Sequence, residues 1–243
     1  MSIIYKENMM DFYGFYTGKI FDAYKYLGAH VEEKGVTFRT FAPSASRITL
    51  IGEFNDWQEW EMNKVSDGNF WECYVPQAKA GQMYKYKIYD RNSNPVDHCD
   101  PYGFGMELRP SSASIIRDMS KYKFKDSQWL QNRSDCRKKP LNIYEIHFGS
   151  FRKPSDKADD WYNYEEMIDI LIPYLTKNGY NYLEIMPLNE YPCDESWGYQ
   201  ATGFFSPTSR YGTTDQLKAF IDACHKHNIG VLMDFVPVHF AVD

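Results

Sequence analysis

No stretch of this 243-residue chain approaches the roughly 18 apolar residues that a membrane-spanning helix requires, so no membrane partner is expected. The start, "MSIIYKENMMDFYG", lacks a basic head followed by an apolar core of about 7–15 residues, so no signal peptide is expected. Blocks of like charge are missing too. The formal charge is −6, and a nucleic-acid partner would call for a basic stripe instead. The nearest basic cluster, Arg137–Lys138–Lys139, precedes Pro140 and reads as solvated linker. Cysteines are few and scattered, at Cys73, Cys99, Cys136, Cys193 and Cys224. Without a CxxC pair or a His/Cys cluster they indicate no zinc site. They read as free thiols in a reducing cytoplasm. No G-x-G-x-x-G or Walker loop supports a nucleotide, and no G-x-S-x-G elbow supports a serine hydrolase. There is no internal repeat and no low-complexity segment.

Aromatic residues are abundant instead, with 20 Tyr, 16 Phe and 6 Trp. Flat amphipathic rings suit the C–H faces of carbohydrates, and they suit plain cores as well. Composition alone does not choose between the two.

Residues 35–118 have the periodicity of strands. "GVTFRTFAP" sets Val36, Phe38 and Thr40 against Thr37, Arg39 and Phe41. "SRITLIGEFNDW" puts Ile48, Leu50 and Gly52 on one face. "NFWECYVP", "MYKYKIYD" and a short "SASIIRD" follow, separated by Pro, Gly, Asn and Asp. Short alternating strands with such punctuation predict an antiparallel sandwich. The segment "DFYGFYTGKIFDAYKYLG" is ambiguous, a helix laid against a domain surface being one reading. Residues 119–140 have no clear period and read as a connector.

From residue 141 the pattern changes. "LNIYEIHFGSF", "NYLEIMPL" and "IGVLMDFVPV" are short apolar runs of the kind that form buried parallel strands. Between the first two, Tyr164, Met167, Ile168, Leu171 and Leu175 recur at helical spacing. Asn163 with Glu166 forms a capping box, Asn178–Gly179 stops the helix, and Pro173 is expected to kink or break it. "TTDQLKAFIDACHKHN" predicts a second helix with Leu217, Phe220, Ile221 and Cys224 on one face. Its His225 and His227 are expected at the surface. The order is β-α-β-α-β, which begins either a doubly wound sheet or a (β/α)₈ barrel.

In either architecture ligands bind beyond the carboxyl ends of the strands. His147 stands there after the first strand. After the second comes "PLNEYPCDESWGYQATGFFSPTSRYGT", a long loop whose Tyr191, Trp197, Tyr199, Phe204, Phe205 and Tyr211 are expected to form an ordered aromatic wall. A self-packed surface loop is the competing reading. Asp234 and His239 follow the third strand. Their odd separation puts them on opposite faces unless Pro237 turns the chain. With the turn, both face a ligand; without it, Asp234 caps a loop and His239 is a satisfied side chain. In the β half, "GEFNDWQEW" exposes Trp57 and Trp60, as a sugar platform or as packing residues.

Taken in order, these motifs resemble the α-glucan branching enzymes of the α-amylase superfamily. "IYEIHFGSF" is similar to that family's first barrel strand. "SWGYQATGFFSPTSRYGT" is similar to its loop after strand two. Asp234, Val236 and His239 match the superfamily pattern D-x-V-x-x-H. "GEFNDW" and "YKYKIYD" resemble the glycogen-binding sandwich that precedes such barrels. The resemblance implies a multi-domain fold: an all-β sandwich followed by an α/β (TIM) barrel, incomplete here and holding its first three strands. The implied division is an N-terminal extension at 1–28, a sandwich module at 29–118, a connector at 119–140 and the barrel portion at 141–243.

It also implies roles. Tyr199 would stack on the sugar beside the scissile bond, His239 would hydrogen-bond that sugar's hydroxyls, and Asp234 would hold the site network. Trp57 and Lys85 fall on glucan-binding positions of related modules. The implied substrate is an α-1,4-glucan such as glycogen, transferred to an α-1,6 branch, with no cofactor, no metal and no protein partner. The family's nucleophilic Asp, acid/base Glu and stabilising Asp follow barrel strands four, five and seven. No catalytic residue is therefore assigned within these 243 residues, and the chain alone is expected to be inactive. The rival expectations are a debranching or trehalose-forming relative of the same layout, and a non-catalytic glucan-binding protein.

Overall fold

A computed structural model of the chain describes residues 10–133 and 138–241. Cys136 and Arg137 lie outside the described residues. The chain divides into two compact units. One comprises residues 1–107 and 112–118, the other 108–111 and 119–243.

In the first unit two antiparallel sheets face each other. One has the order β1 (Gly28–Glu32), β2 (Gly35–Phe41), β6 (Phe70–Val75), β5 (Asn63–Val65). The other has β4 (Trp60–Glu61), β3 (Arg47–Gly52), β7 (Met83–Tyr89), β8 (Pro95–His98), with the short β9 (Ser114–Ile115) also on β7. The inner faces supply Val36, Phe38, Ile48, Leu50, Tyr84 and Tyr86, all fully buried. The alternation along β2 and β3 produces this directly, since successive side chains point to opposite faces. Burial of such side chains contributes about 1.5–3 kcal/mol each.

The outer face of β2 and β6 is not left to solvent. Phe41 and Phe70 stand opposite one another in the ladder. Helix α1 (Phe12–Tyr16) lays Phe12 4.8 Å and Phe15 5.4 Å from the Phe70 ring. The helical reading of this run thus shortens to five residues capped by Asp11, followed by a single 3₁₀ turn. Gly18, with φ +64°, lies just beyond the helix, and glycine is a poor helix former.

In the second unit, β10 (Ile143–Ile146), β11 (Tyr182–Ile185) and β14 (Gly230–Met233) form a parallel sheet in that order. Helix α4 (Tyr164–Lys177) connects the first pair and α5 (Thr214–Lys226) the second. Ile146, Leu183 and Ile185 meet Met167, Leu171, Leu175, Phe220 and Cys224 in one core. Asn163 caps α4 and Thr213 caps α5, each in a reciprocal capping box. The helix α4 runs through Pro173 without a break.

The connector holds a helix, α2 (Ser127–Asn132). One expectation is corrected. His225 is no surface histidine: it is 11% exposed, bonded to Asp126 at 2.8 Å and stacked on Trp129 at 3.8 Å. Its place at the end of α5 lets α2 cover it, a contact no local pattern contains. His227 is exposed, as expected.

Candidate functional site

The carboxyl ends of the three parallel strands collect the predicted residues of the second unit. After Ile146 comes half-buried His147, whose Nδ1 lies 2.9 Å from Ser150 Oγ in the short helix α3 (Phe148–Phe151). Burial and the nearby Arg210 guanidinium hold its pKa below the ordinary histidine value. After Met233 the backbone continues the ladder for one more residue, with the Asp234 N–H donating to Ile185 O at 3.0 Å. The Asp234 carboxylate therefore sits just above the sheet edge.

Tyr199 reaches it from the long loop. Its hydroxyl donates to Asp234 Oδ2 at 2.5 Å. The accepting carboxylate, with some burial and the carboxylates of Glu145 and Glu184, pushes the Tyr199 phenol up to about 12. Glu145 and Glu184 share a register position on β10 and β11 and so face the same side of the sheet. The preceding residue, Gly198, allows this approach. It has φ +90°, and a Cβ there would lie 2.8 Å from Pro187 O.

The loop from 186 to 213 is ordered, but it is not one aromatic wall. Tyr191 and Tyr211 are each 2% exposed and pack inward, their hydroxyls 3.4 Å apart. Trp197 is 63% exposed. The strands β12 (Asn189–Glu190) and β13 (Gly203–Pro207) pair within the loop, across a register shift.

A buried ion network holds the loop closed, and sequence reasoning missed it. The Arg210 side chain is 1% exposed and that of Glu190 3%. Arg210 Nη1 donates to Glu190 Oε1 and to Tyr191 O, both at 2.8 Å. Its Nε and Nη2 donate to Asp194 Oδ1 at 2.9 and 2.6 Å. The guanidinium lies 3.9 Å over the Tyr191 ring. Glu190 accepts further bonds from Thr208 Oγ1 at 3.1 Å and the Ser209 N–H at 2.6 Å. Arg109 also pairs with Asp194. Burial nevertheless raises the Glu190 pKa above the ordinary value. The only signal in the sequence is a set of charges inside an otherwise aromatic loop.

His239 lies on the segment beyond Asp234, past a turn at Pro237–Val238, and is exposed. That segment runs beside the loop: Phe240 bridges to Ala201, and its ring lies 4.8 Å from Phe204. The structure thus brings Tyr199 and Asp234 into contact and leaves His239 open to solvent nearby in sequence.

In the first unit Trp57 is 41% exposed at the tip of the turn after β3. Asp56 and Trp57 both have left-handed φ, at 53° and 58°. Such a conformation is costly for a bulky residue and concentrates at functional positions. The Trp57 N–H bonds back to Gly52 O at 2.9 Å, and Gly52 pairs with Tyr84 beside Lys85. Both residues therefore stand at the same end of the β3–β7 pair. Lys85 Nζ donates to Ser112 Oγ at 3.0 Å.

Residues 26–103 match the family model described as carbohydrate-binding module 48 (isoamylase N-terminal domain), and residues 166–243 match alpha amylase, catalytic domain. The 1,4-alpha-glucan branching enzyme GlgB of Fusobacterium nucleatum subsp. nucleatum is 42% identical over 244 residues, 99% of this chain and 40% of that protein. The enzyme of the same name from Dechloromonas aromatica is 44% identical over 237 residues, 95% of this chain and 38% of its own length. A crystal structure from Salmonella typhimurium, described as an alpha amylase, superposes with a TM-score of 0.73 at 26% identity. It covers 89% of this chain and 34% of that one. The chain spans about two fifths of the length of the curated relatives it matches. Over nearly its whole length the chain is similar to 1,4-alpha-glucan branching enzymes, with a carbohydrate-binding module 48 and part of an alpha-amylase catalytic domain in that order.

Proposed function

We propose that this chain serves a glucan-branching reaction, in which an α-1,4-linked chain is cleaved, held on the enzyme and reattached through an α-1,6 bond. Retaining transfer of this kind needs two carboxyls about 5–5.5 Å apart, one as nucleophile and one as acid/base. None of the residues here takes those roles. Tyr199, Asp234 and His239 bind substrate: the tyrosine ring stacks on the sugar next to the scissile bond, Asp234 fixes the ring's hydroxyl, and exposed His239 hydrogen-bonds the sugar. The observation that carries this reading is the Tyr199–Asp234 hydrogen bond at the carboxyl edge of the parallel strands.

Trp57 and Lys85 contribute a separate glucan contact in the sandwich module, which spans 29–118, with the extension at 1–28, the connector at 119–140 and the barrel portion from 141. The break between compact units at Asp118/Met119 supports the end of the sandwich at 118, while residues 108–111 fall in the other unit. The free thiols of Cys73, Cys193 and Cys224 support a cytoplasmic setting. Titration of the chain with maltoheptaose tests the binding role. Heat of binding is expected from the unaltered chain, and a weaker response from Tyr199→Ala and Trp57→Ala. Equal binding by all three sinks the assignment. Branch formation by the purified chain alone is expected to stay at background.

A further inference from the structure

Tyr199 stands on an excursion of the chain that is closed at its base. The Thr202 N–H donates to Glu190 O at 2.8 Å, so residues 191–201 leave and return at one point. Arg210, on the returning side, holds the outgoing arm at three places: the Glu190 carboxylate, the Tyr191 carbonyl and the Asp194 carboxylate. The last of these lies five residues before Tyr199. The Arg210 guanidinium also covers the Tyr191 ring. That ring reaches the neighbour of Tyr199, since a Cβ on Gly198 would lie 3.3 Å from two of its carbons. Arg210, the Tyr191 ring, Gly198 and Tyr199 thus form a packed path that ends on the Asp234 carboxylate.

The set of bonds is one that only an arginine makes. A guanidinium presents its N–H donors in a rigid planar fork, whereas a lysine ammonium carries all of its donors on one atom. Here Nη1 binds Glu190 and Tyr191 O while Nε and Nη2 share Asp194 Oδ1. The other oxygen of Asp194 accepts from Arg109. The Arg210 side chain is 1% exposed, so water does not replace a bond that is lost.

We infer that Arg210 is a positioning residue, which through Tyr191 and Gly198 sets where the loop presents the Tyr199 ring at the carboxyl edge of the strands. The inference rests on the glucan reading above and adds to it the group that places the sugar-stacking ring. A buried ion pair contributes little net stability compared with apolar side chains of similar volume. What this one supplies is a single arrangement of the loop. That matters at a site of this kind, where a misplacement of about 1 Å costs up to about a hundredfold in rate.

Arg210→Lys keeps the charge and loses the fork, and it tests the inference in the 243-residue chain. With tyrosine labelled at Cζ with ¹³C, the Tyr199 signal is the one absent from Tyr199→Phe, and its place without the tether is read from Asp234→Ala. In Arg210→Lys the signal is expected to move toward that place before any ligand is added. Maltoheptaose half-saturation, followed at the Trp197 indole N–H, is expected to rise about fivefold, the effect of losing one hydrogen bond, with the Trp57 response unchanged. In Arg210→Lys/Tyr199→Ala half-saturation is expected to match that of Tyr199→Ala alone. Asp194→Asn, at a side chain 22% exposed, is expected to act in the same direction and replaces Arg210→Lys if that variant does not fold. A Tyr199 signal that stays still in the folded variants overturns the inference alone. So do losses of affinity that add in the double variant, because they report a general loosening rather than an action through Tyr199. A Trp197 signal that maltoheptaose leaves still in the unaltered chain, or a Tyr199 signal that moves while affinity is unchanged, overturns the glucan reading instead.

Discussion

Tyr199 and Asp234, 35 residues apart in the chain, share a 2.5 Å hydrogen bond from phenol to carboxylate. One comes from a loop after β11, the other from the first residue past β14. The bond tethers the phenol to the carboxylate. Replacing the tyrosine by phenylalanine keeps the ring and removes the tether. Tyr199→Phe is expected to cost about 1 kcal/mol of stability, because the bond is only part-buried. Maltoheptaose affinity is expected to fall several-fold, and Tyr199→Ala is expected to lower it further. Calorimetric titration of both variants checks this, and equal affinity in Tyr199→Phe and the unaltered chain would remove the positioning role.

The Arg210–Glu190 pair makes a stability prediction for the loop. Removing one partner of a buried ion pair leaves a charge without compensation, at a cost of about 3–5 kcal/mol. Arg210→Met is expected to fall in that range by urea unfolding. The double variant Arg210→Met/Glu190→Met is expected to be more stable than the single one. Additive losses in the double-mutant cycle would show that the pair is not energetically coupled.

Asp100 gives the sandwich unit a pH dependence. Its carboxyl is fully buried and accepts from the Tyr84 and Tyr86 hydroxyls at 2.7 and 3.0 Å. Burial outweighs these bonds and pushes its pKa up to about 6 from 3.8. The folded state therefore holds the proton to higher pH than the unfolded chain. Its contribution to stability is fully present below about pH 4 and is lost as the pH rises through about 6. The difference in unfolding free energy between the unaltered chain and Asp100→Asn is expected to change across that window and to be flat above it. A pH-independent difference from 4 to 7 would contradict the assignment.

Trp57 predicts opposite signs for stability and binding. Glycine adopts left-handed φ freely, so Trp57→Gly is expected to relieve roughly 1 kcal/mol of backbone strain. The same change removes the exposed ring. The thermal midpoint of the sandwich is expected to stay level or rise while retention on immobilised glycogen falls. A variant that loses stability and keeps glycogen retention would make Trp57 a packing residue.

Much of the fold is legible in local pattern. The alternation of Val36, Phe38 and Thr40 becomes an inner face, and Tyr164, Met167, Leu171 and Leu175 become the buried stripe of α4. The capping box appears where Asn163 and Glu166 put it. The candidate site is legible in part. Tyr199 lies in the loop after β11 and Asp234 just past β14, but nothing local says that their side chains meet. Arg210 illustrates the limit. A charged residue in an aromatic loop reads as solvent-facing, and only the convergence of Glu190, Asp194 and Tyr191 around it reverses that reading.

By itself the sequence determined the periodicities, and with them the sandwich, the β-α-β-α-β order and which residues reach the strand ends. Those are properties of neighbours along the chain, where side-chain direction follows from backbone repeat. The tertiary structure alone decided which distant groups pair: Tyr199 with Asp234, Arg210 with Glu190, His225 with Trp129 and Asp126. A buried charge or ring takes its partner from whatever the fold brings within a few ångströms, and that distance is set by packing rather than by spacing along the chain.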